Sequence, residues 1–285
     1  MTMQRPNFIF ILADDLGYAD LGCFGSTATF SKPPFAPSAN LDRLARQGLL
    51  STQSYSNSPV CSPTRFALMT GNYQYRYRGA LDEPIASARG SSVLGLPQSV
   101  PTLPKMLRES GYATGLVGKW HLGFPPHFGP LQSGYDYFYG ATAGAVDYFS
   151  HKDSRGHHDL WENNTEVFDE GYFTDLVSDR AVQWLEQFGP ASDKPFMLSL
   201  HYTAPHWPWL TRDDVNESQR LEKTNAIAHL DGGNLQTYWR MIQQLDEGIG
   251  RVIHQLEING QLDNTLIIFT SDNGGERFSN NWPFT

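Results

Sequence analysis

The chain has 285 residues, 40% hydrophobic and 18% charged, which is enough apolar material for one large domain or two small ones and too much for a disordered chain. Its formal charge of -9 excludes the clustered Lys and Arg that a nucleic-acid phosphate footprint needs, so any anion site must be local. No apolar run reaches the roughly 18 residues of a membrane span, and the FIFIL stretch near the start is short and lacks a small-residue cleavage pattern.

Neither a nucleic acid nor a membrane is therefore an expected partner. The lack of a signal segment favours a cytoplasmic protein, or a periplasmic or secreted one if the chain is a processed form. Cys23 and Cys61 could pair, but two cysteines in a chain this long make no disulfide framework and say little about compartment.

In chain order, apolar runs rich in β-branched residues alternate with helix-period segments. That is the pattern of strands and crossover helices, so the expected class is α/β with a mostly parallel central sheet flanked by helices. Asn7 to Ala13 reads as the first strand. Ser38 suits the cap of a helix running to Gln47. The stretch PVCSPTRFALMTG places Cys61 at a helix start with Arg65 one turn on. Thr102 to Ser110 reads as a helix stopped by Gly111, and Tyr112 to Gly118 as the next strand. Ala141 to Thr165, rich in Gly, His, Asp and Asn, reads as an irregular excursion over the sheet. A helix over Phe173 to Phe188, a strand over Pro195 to Leu200, a long amphipathic helix over Gln236 to Glu257 and a strand over Thr265 to Thr270 follow. The strands are short and mostly apolar, as burial on both faces requires. No repeat or low-complexity tract divides the chain, which is read as a single α/β domain over residues 1–285.

Polar clusters fall at the ends of four of these strands. Asp14 and Asp15 follow the first, Lys119 and His121 the second, His201 and His206 the third, Asp272 and Asn273 the fourth. Each alone is an ordinary turn or cap. Together they sit where open α/β sheets bind ligands, beyond the carboxyl ends of the strands. Asp14, Asp15, Asp272 and the amide oxygen of Asn273 form a hard oxygen set suited to Ca²⁺ or Mg²⁺. Three carboxylates gathered without a cation would repel. Arg65, Lys119 and the histidines add positive or protonatable groups, so the expected pocket holds an anionic group, a sulfate or phosphate ester, against a metal. Cys61 at a helix N-terminus near Arg65 is expected to have a lowered thiol pKa, which leaves a cysteine nucleophile open beside the plainer reading of an inert buried thiol.

Cys61-Ser62-Pro63-Thr64-Arg65, followed by Leu68-Met69-Thr70-Gly71, resembles the signature of the formylglycine-dependent type I sulfatases of the alkaline phosphatase superfamily. Asp14-Asp15-Leu16-Gly17-Tyr18, Gly118-Lys119-Trp120-His121-Leu122-Gly123, Pro205-His206-Trp207-Pro208 and Ser271-Asp272-Asn273-Gly274 resemble further family motifs, in the family's order. The resemblance implies that Cys61 is oxidised by a formylglycine-generating maturase to Cα-formylglycine. The hydrated aldehyde then attacks sulfur, and its second hydroxyl expels sulfate and restores the aldehyde. It implies Ca²⁺ or Mg²⁺ on Asp14, Asp15, Asp272, Asn273 and residue 61, with Arg65 steadying the formylglycine and Lys119 binding sulfate. His121 would assist the diol's proton transfers, and His206 would protonate or orient the leaving oxygen. The implied activity is that of an arylsulfatase-like sulfuric ester hydrolase. A phosphonate or phosphate ester hydrolase of the same superfamily and a noncatalytic remnant are the alternatives.

The family carries a further lysine beyond the Asp-Asn-Gly motif, followed by a smaller C-terminal subdomain. This sequence stops at Thr285, and Arg277 follows Asn273 too closely to take that lysine's place. A truncated catalytic domain is thus expected, with a large loss of rate and with uncovered sheet surface that favours a homo-oligomer or a complementing chain. Asp147 and His151, in a segment resembling family members that act on sulfated sugars, and His201 are candidate contacts to a sulfated small molecule or carbohydrate. His157 and His158 read as solvated loop histidines rather than as a second metal site.

Overall fold

Runs such as NFIFILA and FMLSLH have no polar face to offer solvent, so they are stable only in a sheet covered on both sides. The computed structural model, which describes residues 5–25, 37–80, 82–85, 89–224 and 232–284, places them there. In chain order the elements are β1 (Asn7–Ala13), α1 (Ala39–Gln47), α2 (Cys61–Thr70), α3 (Leu103–Glu109), β2 (Ala113–Gly118), β3 (Tyr137–Gly140), β4 (Trp161–Glu162) and β5 (Thr165–Glu166). There follow α4 (Phe173–Glu186), β6 (Phe196–His201), α5 (Val215–Lys223), α6 (Leu235–Ile258) and β7 (Thr265–Ser271).

The strands form one seven-stranded sheet in the order β5-β4-β3-β2-β6-β1-β7. The five strands from β3 to β7 in that row run parallel, while β4 and β5 add a short antiparallel hairpin at one edge. Register fixes what happens at the carboxyl ends. Ala13 pairs with Ser271, Leu12 with His201 and Gly118 with His201, so the residues that come next leave the sheet side by side.

One face of the sheet is covered by α1, α4 and α6. Met241, Leu245, Ile249, Val252 and Leu256 of α6 and Val177, Ala181 and Trp184 of α4 pack there against Ile9, Ile11, Leu198 and Leu200. The three- and four-residue spacing on α6 is what puts those side chains on one stripe, and Asn234 caps the helix by accepting from the amides of Gln236 and Thr237. Gly115 lets α4 approach β2, because a Cβ there would lie 2.8 Å from the Trp184 ring. On the other face Phe66 and Met69 of α2 join Leu116, Trp120, Tyr135 and Phe138.

The predicted strands and helices are all present, with ends moved by a residue or two. Ser38 precedes α1, as its sequence position predicts, but its hydroxyl does not cap the helix. It accepts from Gly22 N–H and donates to Asp42 instead, tying α1 to the loop after β1. Sequence periodicity does not reveal α5, in which Ser218 and Leu221 alone are buried, nor the two-residue strands β4 and β5.

Candidate active site

At the carboxyl ends of β1, β2, β6 and β7 the chain turns sharply while staying hydrogen-bonded to its neighbours. Asp272 N–H donates to Ala13 O at 3.0 Å, Lys119 N–H to His201 O at 2.8 Å, and Asp14 N–H to Ala204 O at 3.2 Å. Gly118 permits the closest of these approaches: its φ is +113°, and a Cβ would sit 1.9 Å from His201 O. Asp15 and His121 take positive φ values of 60° and 56°, uncommon for residues with side chains and maintained by their surroundings.

The result is a buried charge cluster. Asp14, Arg65, Lys119 and Asp272 are all within 1% of full burial. Arg65, projecting from the first turns of α2, donates to Asp272 at 3.0 Å and to Lys119 O at 3.1 Å and lies 3.7 Å from Asp14. The Lys119 ammonium pairs with Asp14 Oδ2. Burial opposes ionisation of Asp14, but Lys119, His206 and Arg65 together hold its carboxyl far below the usual range. Burial and the Asp14 charge push Asp272 the other way, well above it. That split is the signature of carboxylates crowded in low dielectric without enough positive charge between them.

Oxygen atoms of Asp14, Asp15 and Asp272 lie within 4.8 Å of one another, as do ligand atoms of Asp14, Cys61 and His206. Among the described residues no other group of acids, cysteines and histidines is close enough to hold a metal. Asn273 joins the set by donating to Asp15 at 2.7 Å, which leaves its own Oδ1 without a donor; Asp14 Oδ1 is orphaned too. Two buried oxygen acceptors with no donor, beside carboxylates that repel, fit a hard divalent cation. The sequence-predicted metal residues Asp14, Asp15, Asp272 and Asn273 are thus brought together, with Cys61 at their edge.

Cys61 begins α2, whose preceding residue Val60 provides no side-chain cap. Its thiol differs from the sequence expectation. Burial first, and then the charges of Asp14, Asp272 and Asp15, push it well above its ordinary value, against the opposing pull of Lys119. The helix N-terminus and Arg65 do not prevail against that burial and the acids delivered by β1 and β7. The thiol stays protonated and is a poor nucleophile as it stands. Cys23 and Cys61 are both free.

His121 is buried, and its Nε2 lies 3.1 Å from Ile85 O. A carbonyl only accepts, so Nε2 carries the hydrogen and Nδ1 is left as a lone pair with no partner among the described residues. Burial, then Lys119 and Arg65, hold its pKa well below the ordinary value, so the ring is neutral. His206 donates from Nδ1 to Trp207 O at 2.6 Å and turns Nε2 toward Asp15 at 3.6 Å. His201 is the last residue of β6 rather than the first after it. It leans on Lys119 O at 3.3 Å, and burial with Arg65 brings its pKa down to about 3.

Asp147 and His151 are spent elsewhere. Asp147 Oδ1 accepts from the amides of Phe149 and Ser150 and from the Ser218 hydroxyl, and His151 Nε2 meets Gly171 O at 3.2 Å. Both are nearly or fully buried, at 0% and 2% exposure, and these contacts support the loop, while Asp147 Oδ2 has no hydrogen-bond partner among the described residues. His157 and His158 pair with Asp153 and Val167 O respectively. Arg277 lies over the rings of Phe278 and Trp209, at 5.1 and 5.7 Å, away from the acids. Sequence reading missed the groups that set the His121 ring, namely Ile85 O and Gly144; a Cβ on Gly144 would come within 2.4 Å of that ring. A backbone carbonyl leaves no signal in a sequence.

Comparison with known proteins agrees with this geometry. Arylsulfatase J of Mus musculus is 36% identical over 290 residues, spanning 98% of this chain and 45% of that protein. N-acetylgalactosamine-6-sulfatase of Homo sapiens is 31% identical over 305 residues, spanning 99% of this chain and 53% of that protein. The crystal structure of Ps i-CgsB in complex with k-i-k-neocarrahexaose superposes with a TM-score of 0.81 at 34% identity, over 98% of this chain and 61% of that one. The chain spans about half the length of the curated relatives it matches. The sulfatase family model fits residues 6–284, taking in every strand end that builds the acidic cluster, and the chain belongs to the sulfatase family.

Proposed function

We propose that this protein hydrolyses sulfate monoesters, with residue 61 matured from cysteine to Cα-formylglycine and with Ca²⁺ or Mg²⁺ held by Asp14, Asp15, Asp272 and Asn273. The observation that carries the reading is the convergence, within one buried cluster, of a helix-start cysteine, three acids within 4.8 Å and two side-chain cations. When present, the cation supplies charge neutralisation at the sulfate oxygens and the hydrated aldehyde supplies a nucleophilic hydroxyl.

The chain's own side chains do the rest. Arg65 holds Asp272 and the Lys119 carbonyl, which keeps the start of α2 against the ends of β2 and β7. Lys119 balances Asp14 and supplies a positive charge to an anionic substrate. The free Nδ1 of His121 accepts a proton, and His206, whose Nε2 faces Asp15, delivers one to the leaving oxygen when its ring is doubly protonated beside that carboxylate. With all three acids ionised around a divalent cation, Asp14, Asp15 and Asp272 against Arg65, Lys119 and the ion would leave one positive charge, which suits a monoanionic ester.

The sugar sulfate named for the human relative and the carrageenan oligosaccharide bound to Ps i-CgsB support a sulfated carbohydrate as the substrate class. Mass spectrometry of the peptide containing residue 61, from protein co-expressed with a formylglycine-generating maturase, tests the reading together with assays on aryl sulfate and aryl phosphonate esters. Aldehyde or its hydrate, with sulfate ester turnover lost in Cys61→Ala, is expected. Turnover of the phosphonate alone would move the assignment to the phosphonate hydrolases, and an unaltered thiol beside a functioning maturase would remove the nucleophile.

A further inference from the structure

We propose that Asp159, with Arg89 as its counter-ion, is a positioning residue outside the metal and sulfate cluster that fixes the 142–144 wall against His121 and so holds its Nδ1 lone pair toward the reacting groups. The proposal rests on the sulfatase reading for its catalytic meaning, and on geometry alone for the positioning role.

His121 is supported from two sides. Ile85 O takes its Nε2–H at 3.1 Å. From the other side, its amide donates to Thr142 O at 3.2 Å and the Gly144 backbone packs on its ring. These supports belong to separate stretches of chain. Ile85 is tied to α2 through its amide, which donates to Ser62 Oγ at 2.8 Å, whereas Thr142 and Gly144 belong to the irregular excursion after β3.

Asp159 and Arg89 fix the second of these stretches. Asp159, fully buried, accepts from the Thr142 hydroxyl and the Ala143 amide, both at 2.6 Å, and from the Trp161 indole at 2.8 Å. It thereby fixes the backbone on either side of the His121 contact. Arg89 reaches Asp159 at 3.1 Å, the equally buried Asp153 at 3.4 Å and His158 O at 2.7 Å. Its guanidinium also lies over the rings of Phe124 and Trp161, at 5.5 and 6.0 Å. Two buried carboxylates in a loop with little regular structure need a cation, and Arg89 supplies it. His121 has a positive φ of 56°, which needs such support from outside, because its own backbone would relax without it.

The test is ¹⁵N NMR of histidine-labelled protein, which reads ring tautomers whether or not the protein turns over substrate. In the parent chain His121 should appear as the Nε2–H tautomer with a slowly exchanging ring proton. Arg89→Ala should mix the tautomers and speed that exchange, with Asp159→Asn intermediate. Arg180→Ala is the control: Arg180 also bridges two acids of this region, Glu162 and Asp169, but touches neither wall of the cradle. It should leave the His121 signal unchanged. If Arg89→Ala does not fold, Asp159→Asn decides. With an active preparation, Arg89→Ala should lower kcat roughly tenfold with little change in KM, the scale expected of a misplaced proton acceptor. A folded Arg89→Ala or Asp159→Asn protein with the parental His121 tautomer and exchange would overturn the positioning role. An unaltered thiol at residue 61 beside a functioning maturase, with a shifted tautomer in Arg89→Ala, would overturn the sulfatase reading and leave the positioning role standing.

Discussion

Asp14 Oδ1 and Asn273 Oδ1 are buried acceptors that no donor reaches, and a hydrogen-bond acceptor in that state costs free energy until something positive meets it. A bound divalent cation relieves this together with the repulsion that raises Asp272. Calcium should therefore stabilise the fold, by about 2.7 kcal/mol at a hundred times its dissociation constant. Asp14→Asn, which keeps the shape and removes a charge, should abolish most of the calcium-dependent rise in Tm; an undiminished rise would place the ion elsewhere. Cys61 shows what a single residue cannot reveal alone. Its helix start and nearby arginine are legible in the sequence, but the direction of its pKa is set by burial and then by acids that arrive from positions 14, 15 and 272.

The elements deliver these side chains with the precision of a hydrogen-bonded ladder. α6 lies across the β1 and β6 face, and Leu245 in its middle is fully buried among Ile242, Ile249 and the α4 side chains. Leu245→Ala removes that packing and leaves a cavity, so it should cost about 2–5 kcal/mol, read as a lower urea midpoint at unchanged slope. β1, β2 and β6 were legible because burial on both faces forces apolar runs, and α4 and α6 because one-sided burial forces a repeat of three and four. α5 was not, since its exposed sequence VNESQRLEK satisfies helix formation without any apolar stripe.

For the whole molecule, the sheet order leaves β7 as an edge, and among the described residues no strand pairs with its outer side. Leu266 and Ile268 on that strand remain 51% and 39% exposed, and no residue of the strand is fully buried. Such an edge favours pairing with another chain. The self-association or complementation expected from the sequence is checked by size-exclusion chromatography across a concentration series. Association should be reduced in the Leu266→Lys, Ile268→Lys double variant, and a concentration-independent monomer would remove the expectation.

The alternation of strands and helices, the parallel class and the residues of the cluster follow from sequence because each depends on local periodicity or on a short contiguous motif. Asp14, Lys119, His206 and Asp272 could be named in this way, but their meeting depends on a register that pairs Ala13 with Ser271 and Gly118 with His201. Tertiary structure alone decided three things: the split between the Asp14 and Asp272 carboxyls, the protonated state of Cys61, and the diversion of Asp147 and His151 into loop support. Electrostatic energy and burial depend on distances between groups remote along the chain, and those distances exist only once the sheet has closed.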